Sequence, residues 1–397
     1  MKRHPHLEVR KIALFILPVL FFIILCFTPA ANAEPNLHAG SLRFHPYLFL
    51  RELHSSNVYS TATDRNSDYI TTVVPGLKLE LPIGKHGLEV NYNAVLDRYG
   101  KYMGENTSDH NANESGEMNL ASVFKIKLSD DYKKGHEARG ASSTGFIEKF
   151  WTNSAGGTLE YSLTDLSKVR LDASYDKWNF TTSKFRNRHD YDNSLYVYYR
   201  ILPKTSVFGE YDHKRTTYEL RSPDLASRTD GGQIGLTWEI SERSKGTVKT
   251  GYLKKNFSDK SLKDHGSWIY SVDVSHDFSS KTSVKLLGER TIREASLSGT
   301  SYLQTTYGRV EFFQRVYDKF AASLNGSYGV DKFSNAVPGI SPLVRRDVNV
   351  AGGAAVKYMM RDWLDFSVGY THRTRNSNID VNDYDVNEYM LQINAAL

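Results

Sequence analysis

Cysteine is almost missing from this chain. Its 397 residues include one, Cys26, and that one sits in an N-terminal apolar run. Downstream, no disulfide, thiolate nucleophile or cysteine metal site can form. Long apolar runs are missing too. After residues 12–27, no stretch offers the ~20 residues that a membrane-spanning helix needs. A strong charge of one sign is also lacking. The chain has 50 Lys and Arg against 45 Asp and Glu. Without residues 1–33 these become 46 and 44, a net of +2. So weak a charge argues against a nucleic-acid partner. Nor is there a phosphate-cradling glycine loop. Gly156-Gly157 and Gly352-Gly353 fall inside strand-like runs, where glycine lets strands bend or pack closely.

What is present begins with a compartment signal. Lys2, Arg3, Arg10 and Lys11 precede the apolar run, and Ala31-Asn32-Ala33 supplies small residues before Glu34. This order marks a secretory signal peptide over residues 1–33. Residues 34–397 would then form the mature chain, in the outer membrane of a Gram-negative cell. The 16-residue run is short for an anchor, and Leu25 before Cys26 argues against a lipoprotein site.

The rest of the chain is polar on average, with a mean hydropathy of −0.47, yet it holds 25 Tyr, 19 Phe and 5 Trp. A transmembrane β-barrel reconciles the two, because only alternate residues meet lipid and aromatics gather at its interfaces. The alternation is persistent. Leu195, Val197, Tyr199 and Ile201 form one set; Ile234, Leu236, Trp238 and Ile240 another. Trp268, Tyr270, Val272, Val274 and Phe278 alternate with Ser271, Asp273, Ser275 and Asp277. Val348, Val350, Ala354, Val356 and Tyr358 follow, then Tyr389, Leu391, Ile393, Ala395 and Leu397. A period of two puts each set on one sheet face.

Tight links are expected near 82–86, 164–167, 203–204, 241–244, 279–280, 317–318 and 360–362. Longer polar links are expected over 54–67, 100–113, 135–149, 181–189, 219–229, 258–264, 294–300, 334–344 and 376–385. Short turns on one side and long loops on the other describe an all-β, antiparallel, up-and-down outer-membrane barrel. Nine long loops imply about 18 strands, with about 16 as the alternative. Residues 117–134 must then hold two strands around a turn near 122–124, where the turn signal is weak. Strands begin near Leu42, and no separate plug or passenger domain is expected.

Chemistry-bearing clusters are sparse. Glu52, His54 and Ser55 are close in sequence, but a catalytic triad needs spatial hydrogen bonding. Asp109-His110 and His189-Asp190 are pairs, whereas a metal site needs three or four converging ligands. No enzyme activity, metal or cofactor is expected. The polar faces say more. Arg170, Asp172, Tyr196, Tyr198, Arg200, Glu210, Asp212, Glu239, Lys249, Asp273, Lys285, Glu289, Arg309, Glu311 and Lys357 are expected to line the lumen. A barrel of 16–18 strands tends to leave an aqueous channel, and such a lining can hydrogen-bond sugar hydroxyls and stack on sugar faces. Tyr389, Leu391, Ile393 and Leu397 form a candidate signal for the barrel-assembly machinery. Outer-membrane lipid and lipopolysaccharide are the other expected partners.

Several segments resemble the putative β-barrel porin 2 family: HPYLFL at 45–50, SNVY at 56–59, SDYITTVVPGL at 67–77, AGGTLEYSLTD at 155–165 and YYRILPKTS at 198–206. Ser56 stands where the family often has Asp. Members often accompany exopolysaccharide or capsule export clusters. The resemblance therefore implies a channel passing polysaccharide or oligosaccharide outward, with periplasmic export components as partners. A general diffusion porin for small solutes and a non-transporting surface-binding barrel are the other functions open to this fold.

Overall fold

The period-two runs form strands throughout. The computed structural model describes residues 37–397 apart from 122, 138–146, 221–223, 242, 296 and 337–340. The stretch read as a signal peptide, 1–33, lies outside the described residues. The strands are β1 (Leu37–Ala39), β2 (Leu42–Ser55), β3 (Asp68–Ile83), β4 (His86–Tyr99), β5 (Thr107–Leu120), β6 (Phe124–Glu137), β7 (Glu148–Ser162), β8 (Ser167–Phe180), β9 (Arg188–Leu202) and β10 (Thr205–Tyr218). They continue as β11 (Ser227–Ser241), β12 (Ser244–Phe257), β13 (His265–Ser279), β14 (Thr282–Glu294), β15 (Tyr302–Tyr317), β16 (Phe320–Ala336), β17 (Val344–Arg361), β18 (Leu364–Ser377) and β19 (Tyr384–Ala396).

From β2 to β19 each strand pairs antiparallel with the next, and β19 returns to β2 from Glu388↔Ser55 to Ala396↔Tyr47. The result is a closed barrel of 18 strands, which rules out 16. The short β1 pairs with the foot of β2, Leu37↔Phe44 to Ala39↔Leu42, and covers the edge that β19 leaves bare. Closure matters because lipid offers no partner for backbone N–H and C=O groups.

The weakly signalled turn is real. β5 and β6 form a hairpin, Leu120↔Phe124, with Ala121 at φ 56°. An alanine in the left-handed region costs about 1–2 kcal/mol, and with no Gly or Asn in its place the sequence barely announces the turn.

Several loops are shorter than their polar sequences suggest, while the link over 258–264 has the expected bounds. The link expected over 100–113 ends at Thr107, where β5 begins. About 9–11 residues cross a bilayer, and β17 has 18. Strand tops therefore rise beyond the lipid, where both faces can be polar and alternation stops reporting structure. Sequence neighbours in these tops point to opposite faces. His110 bonds Tyr92 while Asp109 bonds His136. His189 bonds Tyr175 while Asp190 pairs with Arg188. Likewise Glu52 and His54 meet Thr71 and Tyr69 on the outer face of β2, and Ser55 is buried on the inner one. None of these pairs converges on one ligand.

Two outcomes follow from this register. Deleting residues 389–397 removes all but the Glu388↔Ser55 pair of the closing seam; outer-membrane insertion, followed by heat-modifiable gel migration, should be abolished. Val272 faces outward between Val248 and Gly288, whereas Asp273 lines an inner cavity. Val272→Arg should lower folding yield, at a cost of about 2–4 kcal/mol at the membrane midplane. Asp273→Arg should fold and change single-channel ion selectivity. The reverse pattern would mean an inverted register.

Candidate functional site

Inside the wall, polar side chains line several cavities. The largest, about 1170 Å³, is bordered by residues of β4 through β14, including Asn93, Asp131, Asp192, Ser194, Gln233 and Glu289. A second, about 530 Å³, lies toward the tight turns, beside Lys168, Arg170, Tyr196, Tyr198, Arg200 and Phe208. Glu210 and Lys249 border both. Lys249 Nζ sits 2.7 and 2.8 Å from the two Glu210 oxygens. This ion pair marks the boundary between the cavities.

One sector, β7 to β10, holds two aromatic tiers. In the lower one Tyr196 and Tyr198 stack at 5.9 Å and 18°, and Phe208 lies 5.2 Å from Tyr198. Lys168 and Arg170 stand over the two tyrosines at 4.9 and 5.3 Å. Period two explains the stack: residues i and i+2 share a face. Gly235 on β11 makes room for Phe208, since a Cβ there would lie 2.3 Å from the ring. In the upper tier Trp178 and Phe180 stack at 6.3 Å and 9°, with Phe150 5.7 Å from Phe180. Arg186 and Arg188 stand over these rings at 3.9 and 4.6 Å.

Hydrogen-bonded carboxylates lie between the tiers. Asp172 accepts from Thr158 and pairs with Arg170 at 2.7 Å. Asp212 accepts from Ser194 and Gln233 at 2.6 and 2.7 Å. Lys214 reaches Asp192 at 3.0 Å. The remaining residues singled out in the sequence share this inner face. Glu239 and Asp273 border a third cavity, and Glu289 borders the largest. Arg309 pairs with Glu311 at 2.7 Å and Lys357 with Asp365 at 3.4 Å. Lys285 opposes Glu311 in register. Arg200 donates to the Asp165 carbonyl in the β7–β8 turn. Tyr389 and Leu391 are exposed on the outer wall, Ile393 pairs with Leu50, and the Leu397 N–H reaches the Pro46 carbonyl. Such an interior is wet and internally charge-compensated. Among the described residues, no three His, Cys, Asp or Glu side chains are grouped to hold a metal.

One element narrows the interior, and the alternating pattern did not reveal it. The β13–β14 ladder stops at Tyr270↔Arg290, although β13 continues to His265. Beyond that point the tip of the β14–β15 hairpin leans over the inner face of its neighbours. Glu294 reaches Lys255 on β12 at 2.5 Å and Tyr218 on β10 at 2.7 Å. Tyr302 stacks on His265 at 4.3 Å. Ala295, Leu297, Thr300 and Ser301 are buried. Side chains replace the missing ladder: Arg290 donates to the Trp268 carbonyl at 3.0 Å, and Gln304 reaches Ser267. One sequence signal could have pointed here. Residues 295–301 carry no charge, unlike most of the other loops.

The family model for putative beta-barrel porin 2 matches residues 37–397. No curated protein matches the chain. Among solved structures, OccK2 (OpdF) of Pseudomonas aeruginosa aligns at TM-score 0.50 and 8% identity, covering 90% of this chain and 98% of that one. The siderophore receptor PirA of the same organism aligns at 0.45 and 10%, covering 89% and 80%. The FrpB iron transporter of Neisseria meningitidis (F3-3 variant) aligns at 0.46 and 13%, covering 83% and 62%. The likeness to OccK2 is one of fold.

The inward hairpin is testable. Lys255 is 1% exposed and Glu294 12%, and removing one partner of a buried ion pair costs roughly 3–5 kcal/mol. Glu294→Ala should release the tip and raise single-channel conductance in planar bilayers, with gel migration unchanged. Unaltered conductance would place the hairpin outside the path.

Proposed function

Because the chain belongs to the putative β-barrel porin 2 family, we propose that this outer-membrane barrel passes polysaccharide or oligosaccharide across the outer membrane. The observation that supports the reading is the pair of aromatic tiers on one inner sector, Phe150–Trp178–Phe180 above Tyr196–Tyr198–Phe208. Sugar rings present apolar C–H faces that stack on aromatics and hydroxyls that hydrogen-bond with Asp172, Ser194 and Asp212 between the tiers. Each contact is weak, so a chain could step from one tier to the next and leave. The driving force would come from periplasmic export components. Delivery by a signal peptide over 1–33 and insertion through the terminal Tyr389, Leu391, Ile393 and Leu397 belong to the same proposal. So does a transport role for the inner-face residues, with no catalytic step among them.

A second reading is a general diffusion porin for small solutes. The inward lean of β14–β15 favours it, since a narrowed mouth suits small molecules. Sugar block separates the two. Maltodextrin should reduce wild-type single-channel current, and Tyr196→Ala/Tyr198→Ala should raise the half-blocking concentration. Aromatic contacts of about 0.5–1.5 kcal/mol correspond to roughly twofold to tenfold. A wild-type pore that conducts salt and ignores sugars would favour the small-solute reading.

A further inference from the structure

The outer wall carries cations where its register sets them against each other. On β10 the outward face climbs from Val207 through Tyr211 and His213 to Arg215, all on one side of the strand. On β11 the same face holds Ile234, 71% exposed, then Asp230 and Arg228. Arg215 and Arg228 are direct cross-strand partners, and like charges in that position are destabilising. Lys254 on β12 stands opposite Asp230, yet the Asp230 carboxylate is occupied elsewhere. It takes Arg228 at 2.7 Å, His213 at 2.8 Å and Tyr211 at 2.9 Å. Arg215 and Lys254 are exposed, and neither side chain bonds to another among the described residues. The arrangement recurs across the barrel: Lys332 on β16 directly opposes Arg346 on β17, both exposed.

Height identifies what meets these cations. Arg215 is four residues beyond Tyr211, and Lys332 four beyond Tyr328, about 13 Å along each strand. Tyr211, Tyr252, Trp268 and Tyr328 are exposed on the outer wall, with Tyr252 and Trp268 packed edge to face at 5.8 Å. Outward aromatics mark the interface between acyl chains and headgroups. Below them Ile234, Leu236 and Val248 present an apolar surface. The cations thus stand at headgroup height on the side of the long loops, above a wall suited to acyl chains.

We propose that the Arg215–Arg228–Lys254 cluster, and its counterpart Lys332–Arg346, bind the phosphates of an anionic outer-leaflet glycolipid, bis-phosphorylated lipid A. An arginine fork matches phosphate geometry. Phosphates would supply the counter-charge that Arg215, Lys254, Lys332 and Arg346 lack, Arg228 being already held by Asp230. A soluble anion would draw nothing from the apolar belt, and a protein partner would have to displace the lipid already there.

The test is native mass spectrometry of the detergent-released barrel, with folding checked by gel migration. Bis-phosphorylated lipid A should bind wild type. Arg215→Gln/Lys254→Gln should weaken one adduct about tenfold, and adding Lys332→Gln/Arg346→Gln should weaken a second. Lys184→Gln/Lys263→Gln, a matched charge loss in the extracellular loops, should change nothing. Lipid A stripped of phosphate should bind at least tenfold more weakly. The proposal is overturned if the quadruple variant keeps its adducts, or if the stripped lipid binds equally well. It is overturned too if millimolar inorganic phosphate displaces lipid A, which would mark a site for a free anion. Recovery of wild type with a second protein chain in place of lipid would make this face a protein interface and overturn it as well.

Discussion

Everything in this molecule depends on backbone hydrogen bonding in a solvent that offers none. A strand edge facing acyl chains would leave a row of N–H and C=O groups unpaired, so the sheet must close. The β19–β2 seam does this, the Leu397 N–H extends it to Pro46, and β1 takes up the overhang of β2. Within the wall the β3–β4 ladder skips Val74 and Pro75, where proline has no N–H to give.

Closure fixes the two faces, and the faces fix the chemistry. Along each strand one set of side chains meets lipid and the other meets water, so inner charges accumulate without reference to hydropathy. They are tolerable because they pair within the wall: Lys249 with Glu210, Arg170 with Asp172, Lys357 with Asp365. An interior compensated in this way presents hydrogen-bonding groups and aromatic rings more than a net field.

The upper part of the β13–β14 boundary shows what happens where the ladder lets go. A backbone row is exchanged for side-chain bridges from Arg290 and Gln304, and the freed hairpin tip folds over the inner wall. The Glu294–Lys255 pair holds it there. The exchange is possible near the mouth, where water can reach backbone groups; deeper in the lipid belt the same gap would cost several kcal/mol for each unpaired group.

Much of the architecture was legible from the chain. Period-two sets such as Trp268–Tyr270–Val272–Val274 report their own exposure, because lipid and water sort side chains residue by residue. Nine polar links counted the hairpins, and parity then required two strands within residues 117–134; the pair runs wider, from Thr107 to Glu137, around a turn at Ala121 that is almost silent. The same logic assigned the inner-face residues, since a face is a local property. Strand tops such as Thr107–Asn113 were not legible, because above the lipid both faces are polar and alternation loses its cause. Nor could periodicity say that Tyr196, Tyr198 and Phe208 form one tier, or that Arg215 opposes Arg228. Those facts depend on register between strands. The inward lean of the β14–β15 hairpin depends on contacts with Lys255 and Tyr218, 39 and 76 residues away from Glu294. Local sequence determined which way each side chain faces; only the closed tertiary structure decided which side chains meet, because register and loop direction are settled by partners distant in the chain.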